Sequence, residues 1–393
     1  MEGPLDGIKI IDFTRYQQGP FATVMLSDLG ADVIKIEERR NGDLGRTIGM
    51  HRDGWCTYFE AHNRNKRSIT IDVRTDSGKE IVRRLVAGAD VVTDNFRPGV
   101  MKRLGLDWES LSKVNPRIIT ASASGFGPKG PSARRPSFDV VGQAWAGIMT
   151  LQGGGPGTVP QSLGAGAADQ IGAMIFAVGI CSALVARELQ GIGQHVDVSL
   201  LGSQLALQGL PLLAYLKNDQ QAASPQRLDP LFTYFPCGDD LYISIGVLDP
   251  RWWPPLCQII GREDLLEDER FETASGRHRN REPLLSALDT AFRERTRAEW
   301  LTLLDSADIP CGPVNDYEAV ANDPQVLENE YITSLEHPKF GDVRVVGSPI
   351  KMSNSDTGPR HSAPELGQHT DEILVELGYS QTDIAAFRQA EAI

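Results

Sequence analysis

The chain of 393 residues is 41% hydrophobic and 23% charged, a globular composition that excludes a disordered, coiled-coil or collagen-like protein. Its net charge of −13 argues against a general nucleic-acid binder, and its length predicts about two or three domains. No uninterrupted apolar run approaches the roughly 18 residues of a membrane span, so neither nucleic acid nor membrane is expected as a partner.

The first hundred residues alternate strand and helix signals. Ile8–Phe13 reads as a buried strand, Gln17-Gln18-Gly19-Pro20 as a turn, and Phe21–Leu29 as a helix that Gly30 ends. Further strands are expected at Asp32–Ile36, Arg67–Asp72, Asp90–Thr93 and Arg117–Ser122, with a helix at Thr75–Ala87. Strands separated by helices predict parallel pairing in an α/β fold. After a stretch rich in Gly, Pro, Ser and Ala, a long apolar helix is expected over Gln170–Leu189, a strand over Val196–Leu200 and a helix over Leu201–Leu216. Polar Lys217–Asp229 reads as a linker. A hairpin around Gly238-Asp239-Asp240, then helices and a basic surface at Arg277–Arg281, predict a smaller α+β domain. The C-terminal stretch adds a β-like segment, Val343–Gly347, and a helical pair over His369–Ile393.

Motifs narrow the chemistry mostly by exclusion. The first strand, helix and second strand, with Glu37 after it, look like the start of a dinucleotide-binding fold. The first turn excludes that ligand: it reads Arg15-Tyr16-Gln17-Gln18-Gly19-Pro20, without the G-x-G-x-x-G that lets backbone approach a pyrophosphate. P-loop, G-x-S-x-G and H-E-x-x-H motifs are absent. Five widely spaced cysteines without a CxxC predict free thiols and no zinc site. With an acidic N-terminus lacking any signal or transit pattern, they point to a cytoplasmic location.

Two groups of residues carry candidate chemistry. Asp169 follows Gly164-Ala165-Gly166-Ala167-Ala168 and immediately precedes the expected long helix. The positive helix end is expected to lower its pKa and keep it ionised, and an ionised carboxylate can attack an activated carbonyl. An aspartate before a helix serves equally well as an N-cap worth about 1 kcal/mol. The second group is basic. Lys35–Arg103 holds 15 Lys and Arg against 10 Asp and Glu, with Arg39-Arg40, Asn63–Arg67, Asn95–Gly99 and Lys102-Arg103 at or near strand ends. Guanidinium groups there suit a phosphate-bearing ligand and Phe96 suits a stacked base; solvated helix faces would give the same composition.

Together these segments resemble the class III CoA-transferase family, which includes formyl-CoA transferase, carnitine CoA-transferase and α-methylacyl-CoA racemase. The matching stretches are Leu5–Thr14, Gln18-Gly19-Pro20, Asp28–Glu37, Asn63–Ile69, Asp94–Gly99, Asn115–Ile119, Ile309–Asn315 and Leu366–Asp371. The resemblance implies a Rossmann-like large α/β domain with a parallel sheet, residues 1–220 completed by 326–393, and a small α+β domain, residues 221–325. It implies an interlocked dimer of two ring-like chains. It also implies Asp169 as nucleophile and coenzyme A held by Gln17, Arg39, Ile71, Asp72, Asn95, Phe96 and Arg103, with no tightly bound cofactor or metal.

The racemase branch places a histidine base before an aspartate, whereas here the matching stretch is Arg135-Pro136-Ser137-Phe138-Asp139. A phenylalanine cannot move an α-proton. The expected reaction is therefore CoA transfer from an acyl-CoA to a carboxylic acid through an aspartyl-CoA thioester. Backbone N–H groups near Asp169 would stabilise the oxyanions, and Arg15 would meet the acceptor acid. The alternatives are an isomerase using Asp169 with a second base such as Asp139, and a non-catalytic CoA-binding protein. The long glycine run of formyl-CoA transferase is replaced by Phe232–Gly238, which leaves the substrate acids open.

Overall fold

In a computed structural model describing residues 2–219 and 227–393, the chain divides into two compact units. The first comprises Met1–Thr150, Pro160–Gln221 and Gln325–Ile393; the second comprises Leu151–Val159 and Ala222–Pro324. Of the expected linker Lys217–Asp229, residues 220–226 lie outside the described residues.

The first unit is built on six parallel strands: β1 (Lys9–Asp12), β2 (Asp32–Glu37), β3 (Arg67–Thr70), β4 (Val91–Asp94), β5 (Ile119–Ser124) and β6 (His195–Ser199). Their spatial order is β3-β2-β1-β4-β5-β6. The direction of winding reverses between β1 and β4, and such a reversal opens a crevice at the carboxyl ends of the strands. As far as Asn218 the helices of this unit are α1 (Gln18–Asp28), α2 (Thr57–Asn63), α3 (Asp76–Ala87), α4 (Val100–Leu104), α5 (Trp108–Leu111), α6 (Asp139–Trp145), α7 (Ile148–Gln152), α8 (Ala167–Gln190), α9 (Leu200–Leu207) and α10 (Gly209–Asn218), of which α7 runs across the boundary at Leu151; the C-terminal segment adds Thr370–Glu376 and Gln381–Gln389.

Alternation along the strands sends neighbouring side chains to opposite faces. Ile11, Ile34 and Ile69 pack with Ile81 and Leu85 of α3, and with Ile373 and Leu374 of the helix Thr370–Glu376. Ile10, Val33, Val91 and Ile119 pack on the other face with Leu26 of α1 and with Ala173, Phe176 and Ile180 of α8. Strands covered on both faces read as continuous apolar runs, which is why their sequences were recognisable. Although no uninterrupted apolar run was seen in it, α8 is long and apolar enough to cross a membrane. Its buried stripe lies against the sheet, as in the central helix of an α/β layer.

The helix expected over Leu201–Leu216 is two helices. Gln208 leaves helical geometry between them, and Pro211, which has no N–H to give to Leu207, sits in the first turn of α10 where none is needed. The first unit also carries an antiparallel hairpin, β10 (Ile332–His337) with β11 (Gly341–Val346). The second unit has the antiparallel strands β7 (Phe232–Pro236), β8 (Tyr242–Gly246) and β9 (Cys311–Pro313). Its core stacks Phe235 on Phe292 at 4.7 Å, with Trp300 edge-on at 5.3 Å and its indole N–H given to the Phe292 carbonyl. Arg277, expected on a basic surface, is buried: it donates to the Phe271 carbonyl and lies over the Trp253 ring.

Candidate active site

A cavity of about 280 Å³ opens at the carboxyl ends of β1, β4 and β5. The β1–α1 loop contributes Arg15 and Gln17, the loop after β4 contributes Asn95 and Phe96, and Phe138 and Asp169 complete the lining. This is the crevice that the strand order dictates.

Asp169 does not precede α8 but is its third residue. The N-cap is Gly166, left-handed at φ 64°, and it supplies no side-chain cap. The capping carboxylate comes from elsewhere. Asp139, at the start of α6, accepts from the N–H groups of Ala168 at 2.7 Å and Asp169 at 3.0 Å, and its other oxygen accepts from Gln143 at 2.7 Å. The N-cap reading of Asp169 therefore fails, and its carboxylate receives no hydrogen bond from the described residues. Asp139 in turn is committed to the helix end and to Gln143.

The expected depression of the Asp169 pKa is reversed. Burial, followed by the like charge of Asp139, pushes it up to about 7. The helix N–H groups that would have lowered it are spent on Asp139. For the same reason the Ala168 and Asp169 N–H groups are not open to an oxyanion. The Gln17 amide, which also lines the cavity, donates to the Ala165 carbonyl at a long 3.4 Å. A Cβ on Gly166 would collide with that amide, so any other residue there strains the left-handed backbone and pushes the Gln17 side chain aside.

The remaining expected ligands fall into two groups. Gln17, Asn95 and Phe96 line the cavity with Asp169. The Asn95 amide is occupied with both backbone groups of Arg15, accepting from its N–H at 2.8 Å and donating to its carbonyl at 2.7 Å. Phe96 is half-buried beneath the Arg15 guanidinium, 5.4 Å from the ring centre. Arg39, Ile71 and Asp72 are outside this lining, in the segments that follow β2 and β3. Arg39 pairs with Glu391 at 3.1 Å. Asp72 is gripped by Arg74, which brings its carboxyl down to about 2, with Arg39 adding to the effect. The Ile71 side chain is 2% exposed and belongs to the core, and its N–H is given to the Glu37 carbonyl at 3.0 Å. Arg103 is exposed on α4 and, like Arg97, forms no ion pair among the described residues.

Much of the basic stretch proves to be internal. Lys35 pairs with Asp43 at 2.8 Å, Arg64 with Asp28 at 2.6 Å and Lys66 with Asp12 at 3.1 Å, all six side chains being buried. Arg67 is held by Asp32, Glu372 and Glu376. The local positive balance thus describes the sheet's interior as much as a ligand surface. Sequence reading also missed Tyr58 of α2, whose hydroxyl pKa is raised by burial and then by the Asp169 charge. It missed Asp43 as well, although a lysine inside the apolar strand Asp32–Glu37 signals a buried partner.

Residues 5–370 match CoA-transferase family III, and the chain belongs to that family. It is similar to acetyl-CoA:oxalate CoA-transferase of Acetobacter aceti, with 37% identity over 371 residues that cover 93% of this chain and 94% of the relative. It is also similar to succinyl-CoA:glutarate CoA-transferase of Homo sapiens, with 34% identity over 380 residues that cover 95% and 86%. Among solved structures it resembles a CAIB/BAIF family protein from Brucella suis at TM-score 0.84 and 35% identity, covering 96% of this chain and all of that one. The protein is a CoA-transferase, and its substrates are acyl-CoA thioesters and carboxylates.

Proposed function

We propose that this enzyme moves CoA from an acyl-CoA donor to a small carboxylic acid through a covalent aspartyl-CoA thioester on Asp169. The observation that carries this reading is a carboxylate at a helix N-terminus, inside the switch-point cavity, relieved of capping by Asp139. Asp169 attacks the donor thioester carbonyl, and CoA thiolate leaves as a mixed anhydride forms. The thiolate then attacks the aspartyl carbonyl, releasing the donor acid and leaving aspartyl-CoA. The acceptor carboxylate attacks that carbonyl and expels thiolate, which takes the acyl group from the second anhydride and frees Asp169. Every step conserves acyl activation, so no ATP is consumed.

In this reading the Gln17 amide, which lies against Ala165 and Gly166, donates to the developing oxyanion. Arg39 and Arg103 serve the CoA phosphates, Phe96 and the Ile71-Asp72 segment its nucleotide, and Arg15 the acceptor carboxylate. The relatives' names, with oxalate and glutarate as acceptors, support a small dicarboxylic acid. A homodimer is part of this reading, supported by the exposed Leu189 of α8 and Leu210, Leu213 and Leu216 of α10. So is a cytoplasmic location, in keeping with five cysteines free of disulfides.

Intact-mass spectrometry after incubation with acetyl-CoA and succinyl-CoA, with hydroxylamine trapping and peptide mapping, tests the mechanism. A CoA adduct on Asp169 is expected. An adduct on another residue, or turnover by Asp169→Ala, overturns it.

A further inference from the structure

The β1–α1 turn makes its bend without the glycines that usually serve this place in a Rossmann sheet. Tyr16 is left-handed, at φ 65°, a conformation that strains a bulky side chain. Three buried or half-buried side chains hold the backbone around it. Lys35 donates to the Thr14 carbonyl at 2.9 Å, Asn95 brackets Arg15, and Asp43 accepts from the Tyr16 N–H at 3.1 Å. Asp43 is itself fixed: its second oxygen lies 2.8 Å from Lys35, the first also accepts from Gly45, and neither Lys35 nor Asp43 is more than 2% exposed. The next residue is Gln17, whose amide stands against Ala165 and Gly166, two residues that are also left-handed. Two strained turns therefore face each other across the cleft, and Asp43 holds the one that has no glycine.

We infer that Asp43, anchored by Lys35, is a positioning residue that keeps Tyr16 left-handed and thereby sets Gln17 against the N-terminal turn of α8, beside the thioester carbonyl. The inference rests on the transferase reading for its kinetic consequence, but its structural half stands apart from it. A buried ion pair retained at a desolvation cost is accounted for here by the strained backbone it restrains. Relaxation of Tyr16 would carry Gln17 away from the carbonyl while leaving Arg39 and Arg103 in place. The loss therefore falls on the rate of acyl transfer rather than on CoA affinity.

The test is a double-mutant cycle between Asp43→Ala and Tyr16→Gly, since glycine takes the left-handed conformation without strain. Formation of the CoA adduct from succinyl-CoA is followed by mass spectrometry, and CoA affinity by calorimetry. With Tyr16 present, Asp43→Ala is expected to slow adduct formation about 100-fold, the cost of misplacing a reacting group by about 1 Å, with CoA affinity within about twofold. In the Tyr16→Gly background the same substitution is expected to cost less than about tenfold. Asp43→Asn, which keeps the acceptor for the Tyr16 N–H, is expected to retain more activity than Asp43→Ala. Equal penalties in the two backgrounds, or a loss confined to CoA affinity, overturn the inference. A crystal structure of Asp43→Ala decides the structural half without any activity: Tyr16 still left-handed with Gln17 still against Ala165 overturns it. If the wild-type enzyme forms no adduct, the transferase mechanism falls, and that crystal structure still decides the clamp.

Discussion

At the scale of single residues, the chemistry turns on which carboxylate receives the first N–H groups of α8. Asp139 takes them, so Asp169 is left buried beside a like charge with its pKa raised to about 7 from the ordinary 3.8. Only the carboxylate form is nucleophilic. Adduct formation from succinyl-CoA is therefore expected to rise with pH through about 7 and then level; a flat profile between pH 5 and 8 contradicts this. Removing the neighbouring charge in Asp139→Asn moves the acid limb to lower pH, while the weakened cap costs about 1 kcal/mol of stability. The same shift has a consequence for folding. A carboxyl whose folded pKa lies above its unfolded one binds its proton more tightly when folded, so its contribution to stability falls as pH rises from about 4 to 7. Asp169→Asn does not ionise and escapes that loss. Its melting temperature is expected to match wild type near pH 4 and to exceed it by a few degrees at about pH 8, measured by calorimetry. The position of Asp169 near a helix start was visible in the sequence, but the sign of its pKa shift was not. That sign depends first on burial and then on a residue thirty positions away, both of which only folding supplies.

At the scale of elements, β1, β2 and β3 carry charge where an α/β sheet is normally apolar. Lys66 donates to Asp12 at 3.1 Å, to the Pro20 and His62 carbonyls at 3.0 and 2.9 Å and to Asn63 at 3.0 Å. Burial drives its pKa down to about 8 while Asp12 opposes the fall. Burial also works against ionisation of Asp12, but Lys66 and Lys35 outweigh it and hold that carboxyl below its usual range. Lys66→Met leaves Asp12 buried without this partner and is expected to cost about 3–5 kcal/mol in urea unfolding. A cost below about 1 kcal/mol would mean that Lys35 alone compensates Asp12. The strands themselves were legible, because runs such as Val33-Ile34 and Val91-Val92 are covered on both faces. The fate of their charges was not, since Arg64 and Lys66 look like surface residues until Asp28 and Asp12 are placed beside them. The division of Leu201–Leu216 was signalled by Gly209 and Pro211 and outweighed by the continuous apolar pattern.

At the scale of the whole molecule, the large exposed apolar side chains of α8 and α10 predict a partner copy. Light scattering coupled to size-exclusion chromatography is expected to return twice the chain mass of 42.9 kDa. Leu210→Asp combined with Leu213→Asp is expected to shift that mass toward the monomer without loss of helix signal, and a dimer unaffected by both substitutions would place the interface elsewhere. The sequence by itself determined the parallel α/β architecture, the absence of a dinucleotide turn and the transferase family. These follow from local periodicity, from motif spacing and from segments kept in one order along the chain. Only the tertiary structure decided which charges face a ligand and which face each other, and that Asp139 caps the helix bearing Asp169. It also decided that Asp43 and Lys35 hold the turn that presents Gln17. Burial and electrostatic pairing act between residues distant in sequence, and no local pattern encodes them.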